Sequence, residues 1–202
     1  AYWKRRKRVE GQLSHDHYQY FYTTHFGLTP SEYNGKRILD IGCGPRGSLE
    51  WASMAAARIG LDPLADEYRR LGADQHAMEY IASGSETIPL PDGECDVVCS
   101  FNSLDHVGDV RQTLREIKRV TKPAGIFLLL VEVNHAPTSC EPHQLRPREL
   151  LDALSPEFEC QEIHNFQPTG DGMYDSIRKG RKFTDPLQTS SEGYLSVLGR
   201  RT

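Results

Sequence analysis

The stretch 37–47, RILDIGCGPRG, constrains the fold of this chain more than any other segment. Its first five residues are mostly apolar, which predicts a short buried strand. Three glycines follow at once, at Gly42, Gly44 and Gly47. Glycine lets a tight turn bring its backbone close to a ligand. The GxGxxG spacing is typical of the nucleotide-binding turn of doubly wound α/β proteins, although alone it does not separate one cofactor class from another.

A carboxylate, Asp40, stands two residues before the first glycine. It would repel the pyrophosphate of a dinucleotide, which binds to bare backbone N–H groups at a helix N-terminus. It would attract a cationic ligand, and S-adenosylmethionine carries an ammonium and a sulfonium group. Asp40 therefore favours S-adenosylmethionine over NAD.

The segment DIGCGPRG resembles the first motif of the class I S-adenosylmethionine-dependent methyltransferases. The resemblance covers roughly residues 35–166 and includes the loop SGSETIPLPD, the strand end NSLDHV and the turn KPAG. It implies a single α/β domain with a doubly wound, mostly parallel, seven-stranded Rossmann-like sheet. It also implies transfer of a methyl group, with S-adenosylhomocysteine as the product.

Composition is that of an ordinary globular chain of 202 residues with a net charge of −4. This charge argues against broad nucleic-acid binding. We find neither an apolar run long enough to cross a membrane nor the apolar region of a signal peptide, so we expect a cytoplasmic protein. Five scattered cysteines indicate buried free thiols rather than a disulfide framework. The sequence leaves a homodimer open.

Strands and helices alternate along the rest of the chain. We predict strands at 37–41, 57–61, 78–82, 95–101, 126–133, 158–166 and, antiparallel, 193–200. We predict helices at about 48–56, 63–71 and 146–154, with a further helix capped by Asp109. The flanks are expected to act on the substrate. Residues 1–28 are predicted as a helical extension or lid before a domain over 29–202, and 167–192 as an insertion that recognises the acceptor.

The predicted cofactor contacts come from four places in this pattern. Asp62 ends the second strand about 20 residues after Gly42, where an acid reaches the ribose hydroxyls. The loop SGSETIPLPD resembles the adenine-reading loop of the family, but Gly84 replaces its usual aspartate, which leaves Ser85, Glu86 and the backbone. Asn102 ends the fourth strand. The full predicted set is Asp40, Gly42, Cys43, Gly44, Asp62, Ser85, Glu86 and Asn102.

We expect the acceptor to be a small molecule, and its reacting atom to be a hydroxyl oxygen of, for example, a sugar or natural product. Methyl transfer to an alcohol needs a base, and a histidine titrates near neutral pH. His143 is the first candidate, because its loop leaves strand five beside the expected methyl position. His106 and His135 are the next candidates, with Asp105 able to orient either imidazole.

Three alternatives stay open at this point. The first is a metal-assisted variant in which Asp105, Glu132, Glu141 and a histidine bind a divalent ion, although no strict spacing supports a metal. The second is an NAD-dependent oxidoreductase, which the literal GxGxxG allows. The third is a non-catalytic protein that binds the cofactor only to sense it or to hold a partner.

Overall fold

The computed structural model describes residues 2–14 and 18–202, so positions 1 and 15–17 of the predicted extension lie outside the described residues. The described part contains seven strands: β1 (Arg37–Ile41), β2 (Ala57–Leu61), β3 (Glu79–Ile81), β4 (Cys95–Phe101), β5 (Thr121–Val133), β6 (Phe158–Phe166) and β7 (Gly193–Arg201). It contains the helices α1 (Tyr2–Glu10), α2 (Gln19–Tyr22), α3 (Ala65–Arg70), α4 (Val110–Val120), α5 (Pro147–Leu154) and α6 (Met173–Lys179).

The strands form one sheet in the order β3-β2-β1-β4-β5-β7-β6. Strand β7 pairs antiparallel with both of its neighbours, and the other pairings are parallel. This confirms the predicted doubly wound, mostly parallel, seven-stranded fold. Parallel neighbours place their carboxyl ends at the same edge of the sheet, so the residues that follow β1, β2, β4 and β5 meet there.

Alternate residues of the central strands point to opposite faces of the sheet, and each face has its own apolar core. Ile38 and Val97 belong to one core, while Leu39 and Val98 belong to the other. Helices α2, α3 and α6 cover the first face, and α4 and α5 cover the second. Phe21 and Tyr22 of the predicted extension lie in the first core. The division into an extension at 1–28 and a domain at 29–202 stays a prediction.

The predicted helix at 48–56 is wrong. The segment forms separate turns, in which the N–H of Glu50 donates to the O of Gly47 and the N–H of Ala52 to the O of Leu49. Its end is held back against the residues before β1, because the N–H of Gly35 donates to the O of Met54. The stretch left between these turns and the start of β2 contains too few residues to form a cooperative helix.

The segment 167–192 contains α6, which its polar sequence did not predict. Met173 and Ile177 bury one side of α6 in the first core. The ring of Tyr174 packs 4.7 Å from the ring of Phe21, centroid to centroid. The insertion is therefore anchored to the helix that precedes the sheet. None of the helices in the described ranges is both long and apolar enough to cross a membrane.

Candidate active site

The glycine turn after β1 has a backbone conformation that glycine adopts at little cost. Gly42 and Gly44 have φ angles of 71° and 62°. A Cβ atom on Gly42 would lie only 2.2 Å from the Cβ atom of Ser103, which follows β4. The turn is therefore packed tightly against the neighbouring strand end.

Asp40 is 2% exposed and is held by two hydroxyl groups. Tyr22 donates to its Oδ2 atom at 2.9 Å, and Ser48 donates to the same oxygen. Burial raises the pKa of Asp40 to about 7, while the two hydrogen bonds act in the opposite direction. These bonds use one oxygen, so Oδ1 is the oxygen that remains for a ligand. A cationic group would offset the cost of burying the ionised carboxylate.

Asp62 follows β2, and its two carboxylate oxygens accept hydrogen bonds from two different loops. Its Oδ1 atom accepts from the N–H of Leu64 at 2.8 Å, and its Oδ2 atom accepts from the N–H of Gly44 at 3.4 Å. Burial raises its pKa. An ionised carboxylate has about four acceptor positions, so Asp62 keeps capacity for ribose hydroxyls. Its contact with ribose stays a prediction.

Two adjoining cavities lie at this edge of the sheet, with volumes of about 470 and 520 Å³. Four residues line both of them, namely Trp3, Gly42, Gly44 and Asn102. Asp40 lines the first cavity and Asp62 the second. Their combined size is within the usual range for a cofactor together with part of an acceptor.

Asn102 lies between the two cavities in a left-handed backbone conformation, with φ of 54°. Its N–H donates to the O of Leu130 at 2.8 Å, which ties the end of β4 to β5. Asparagine adopts this conformation more readily than most residues do. The conformation turns the chain at the point where the cavities meet.

Ser85 and Glu86 line the second cavity, as predicted for the adenine loop. The Ser85 hydroxyl lies 2.9 Å from the Thr113 hydroxyl. The Oε1 atom of Glu86 accepts from the N–H of Gly108 at 2.7 Å, so this carboxylate holds the loop after β4. Cys43 lines the first cavity, but its thiol is buried, and burial raises the pKa of the thiol. Direct contact of these side chains with a cofactor stays a prediction.

A group of titratable side chains follows β4 and β5. His106 lines the second cavity, and its Nε2 atom lies 4.0 Å from Asp105 Oδ1 and 4.0 Å from Glu141 Oε1. His135 places its Nε2 atom 3.9 Å from Asp105 Oδ2. Asp105 is 1% exposed, and burial raises its pKa. Two of the predicted catalytic residues, His106 and Asp105, are thus brought together.

His143 lies apart from these residues. Its Nε2 atom is 2.7 Å from the O of Val107, and the ring lines a separate cavity between α4 and α5. It is not among the lining residues of either cavity beside the glycine turn. Its role as the base stays a prediction, and the geometry favours His106.

Sequence reasoning missed the partners of Asp40. Tyr22 lies 18 positions before Asp40, in the segment predicted as a helical extension or lid. Ser48 was assigned to a helix that does not form. The one available signal is the group of tyrosines at positions 18, 20 and 22 of the predicted extension.

Comparison with known proteins agrees with this geometry. A family model described as a methyltransferase domain matches residues 39–129. The chain is 33% identical over 90 residues to the malonyl-[acyl-carrier protein] O-methyltransferase of Pseudescherichia vulneris, covering 44% of this chain and 36% of that protein. It is 31% identical over 128 residues to the probable chloroplastic tocopherol O-methyltransferase of Oryza sativa subsp. japonica, covering 59% and 35%. The chain thus spans about a third of the length of these curated relatives.

Among solved structures, an S-adenosylmethionine-dependent methyltransferase from Mesorhizobium loti has the same fold. Its TM-score is 0.68 at 21% identity, over 88% of this chain and 96% of that one. Fold and site together define a doubly wound α/β protein with a cofactor site at the carboxyl edge of its sheet. Residues 39–129 match the methyltransferase-domain family, and the whole fold is similar to that of an S-adenosylmethionine-dependent methyltransferase.

Proposed function

We propose that this chain transfers the methyl group of S-adenosylmethionine to a hydroxyl oxygen of a small molecule, such as a sugar or natural product. One observation carries the proposal. Asp40 and His106 line two adjoining cavities that share Asn102. A carboxylate suited to the cofactor's ammonium group and an imidazole suited to the acceptor's proton therefore serve one continuous site.

Asp40 and Asp62 support the cofactor half of the proposal. Asp40 accepts the ammonium group of the cofactor, and Asp62 accepts the ribose hydroxyls in addition to its two backbone donors. The adenine base lies near Ser85 and Glu86, where the backbone reads it because Gly84 offers no side chain.

The acceptor half depends on the residues around His106. Methyl transfer to an alcohol requires the acceptor oxygen, the methyl carbon and the sulfur to be aligned, and the proton to be removed. His106 is the histidine on the cavity wall in the described residues. The O-methyltransferases among the relatives support oxygen as the acceptor atom.

The two flanking segments support a small acceptor enclosed by lids. Trp3 of α1 and Tyr174 of α6 both line the first cavity. Their aromatic rings suit the apolar part of an organic molecule.

All five cysteines, each in the described part of the chain, are free, which supports a reducing compartment such as the cytoplasm.

Calorimetry with S-adenosylmethionine, S-adenosylhomocysteine and NAD tests the cofactor. We expect the first two to bind and NAD not to bind. Incubation with methyl-labelled S-adenosylmethionine and a panel of alcohols, phenols, carboxylic acids, amines, thiols and carbon nucleophiles then tests the acceptor. Labelling of oxygen acceptors is expected. Binding of NAD alone would support an oxidoreductase, and cofactor binding without transfer to any class would support a non-catalytic role.

A further inference from the structure

The residues after β4 and β5 bring four groups together without a donor between them. Asp105 and His106 come from the end of β4, while His135 and Glu141 come from the end of β5. The two strands are parallel neighbours, so these segments meet at the edge that holds the cavities. The closest atoms of Asp105, His106 and Glu141 lie within 4.8 Å of one another.

The hydrogen bonds of the two imidazole rings define which nitrogen faces the cluster. The Nδ1–H group of His106 donates to the O of Cys140 at 2.8 Å. The Nδ1–H group of His135 donates to the O of Ala136 at 3.0 Å. In each neutral ring the Nε2 atom therefore carries a lone pair, and each Nε2 atom faces Asp105.

The carboxylate of Asp105 is the buried centre of this group. Both of its oxygens, and the Nε2 atom of His135, are buried with no hydrogen-bond partner in the part of the chain that the structure describes. The separations of 3.9 to 4.0 Å are too long for hydrogen bonds, even with a protonated ring. Lone pairs facing one another in a buried place are costly unless a cation lies between them.

Glu141 is held in the orientation that a metal ligand needs. Thr138 donates its hydroxyl to Glu141 Oε2 at 3.0 Å, and its hydroxyl oxygen accepts from the N–H of Glu141 at 3.0 Å. The Oε1 atom is thereby left facing His106. Fixed outer partners of this kind, like the carbonyls that hold the two rings, are typical of metal sites.

We propose that Asp105, His106 and Glu141 bind a divalent first-row transition metal ion beside the second cavity, with His135, whose Nε2 atom lies 3.9 Å from Asp105 Oδ2, as the next candidate ligand. Metal–ligand bonds of about 2.0–2.2 Å place neighbouring ligand atoms roughly 3.0–3.5 Å apart. The three ligand atoms lie within 4.8 Å of one another, so a closing movement of roughly an ångström completes the site. Two carboxylates with one or two imidazoles suit Zn²⁺, Fe²⁺, Co²⁺ or Mn²⁺, whereas Mg²⁺ prefers oxygen ligands alone.

The position of the ion gives it a role in the proposed function, on which this part of the inference rests. The side chain of His106 is 39% exposed and lines the cavity, so the ion has an open side toward the acceptor. An acceptor hydroxyl bound there would lose its proton more readily, because a metal ion lowers the pKa of a bound oxygen. With the ion bound, His106 acts as a ligand instead of as the base, and the acceptor's proton passes to solvent; without the ion, His106 takes that proton as in the proposed function.

Titration of the metal-free full chain with Co²⁺ tests the site without any methyl transfer. We expect visible d–d absorption that saturates at one ion per chain, is displaced by Zn²⁺ and is unaffected by Mg²⁺. Asp105→Asn and His106→Gln should each weaken Co²⁺ binding by more than about 100-fold, and Thr138→Val by about 10- to 100-fold. His106 is partly exposed, so its variant keeps the test valid if Asp105→Asn does not fold.

His164→Gln is the matched control, because His164 also lies beside a carboxylate, with its Nε2 atom 3.3 Å from Glu162 Oε2, but on β6. It should bind Co²⁺ as the parent does. Absence of d–d absorption, or equal absorption in the parent and the two ligand variants, would overturn the proposal. Calorimetry with S-adenosylhomocysteine on the same samples shows separately whether the cofactor site is intact. Failure of the metal proposal is therefore distinguishable from failure of the proposed function.

Discussion

Asp40 and Asp105 are two carboxylates buried to almost the same degree, 2% and 1% exposed, at the carboxyl edge of the sheet. They differ in what surrounds them. Asp40 accepts hydrogen bonds from the hydroxyls of Tyr22 and Ser48. Asp105 faces the Nε2 atoms of two histidines, and neither of its oxygens has a donor within the described ranges.

Burial alone therefore does not define what a carboxylate binds. The donors around Asp40 keep its orientation fixed and leave it suited to one more donor, such as an ammonium group. The acceptors around Asp105 exclude another acceptor and suit a cation that several ligands share. In the proposed function Asp40 binds the cofactor and Asp105 lies on the acceptor side, and the following changes test that difference.

The largest expected effect is on turnover, with an acceptor identified by the labelling panel. His106→Ala should lower the rate by roughly 10²–10⁴, because the group on the cavity wall that activates the acceptor is lost. His143→Ala should lower it by less than about tenfold, since its ring is hydrogen-bonded to the Val107 carbonyl. Initial rates of S-adenosylhomocysteine formation measure both. A large loss only in His143→Ala would return the role of base to His143.

Affinity for the cofactor should separate the two carboxylates directly. Asp40→Asn should weaken S-adenosylmethionine binding by about 1.5–3 kcal/mol, because a charge-assisted hydrogen bond is lost. Asp105→Asn is the matched control and should change the affinity by less than about threefold, since Asp105 is not a lining residue of either cavity. Calorimetry measures both variants. Equal losses would remove the distinction between the two sites.

The stability of the ligand-free protein should depend on pH through Asp40. Burial raises its pKa from 3.8 to about 7, so the folded protein binds this proton more tightly than the unfolded chain does. That contribution is fully present below about pH 4 and is lost as the pH rises toward 7. The free energy of unfolding should fall by on the order of 1 kcal/mol per pH unit over this window.

Urea unfolding at several pH values measures this slope. Asp40→Asn should reduce it and should stabilise the ligand-free protein above neutral pH, because no charge is then buried. Asp62 and Asp105, whose pKa values burial also raises, leave a residual slope of the same sign. An unchanged slope in Asp40→Asn would show that Asp40 is already ionised in the folded protein at low pH.

The sequence predicted the parts of this comparison that local patterns encode. Strands β4 and β6 begin and end where their apolar and alternating patterns predict. The glycine turn and Asp40 were identified because their spacing is local. Tyr22 was not assigned to Asp40, because contacts between distant positions have no local signal. His143 is the first candidate from sequence because its loop follows strand five, but position along the chain does not define where a loop turns. The sequence therefore could not show that His143 lines a separate cavity.

The smallest expected effect comes from making Asp40 more like Asp105. Tyr22→Phe removes one of the two donors to Asp40 Oδ2, so the pKa of Asp40 should rise further. The pH at which S-adenosylmethionine affinity reaches half its maximum should move upward. Near neutral pH the affinity should fall by about 0.5–1.5 kcal/mol, the net value of one hydrogen bond, and the loss should shrink at higher pH.

Tyr194→Phe is the control, because Tyr194 is also a buried tyrosine but lies on β7 and lines neither cavity. Calorimetry across the pH range measures both variants. A loss in Tyr22→Phe that is constant with pH would mean that Tyr22 acts through packing, and that the donors around Asp40 do not set its charge.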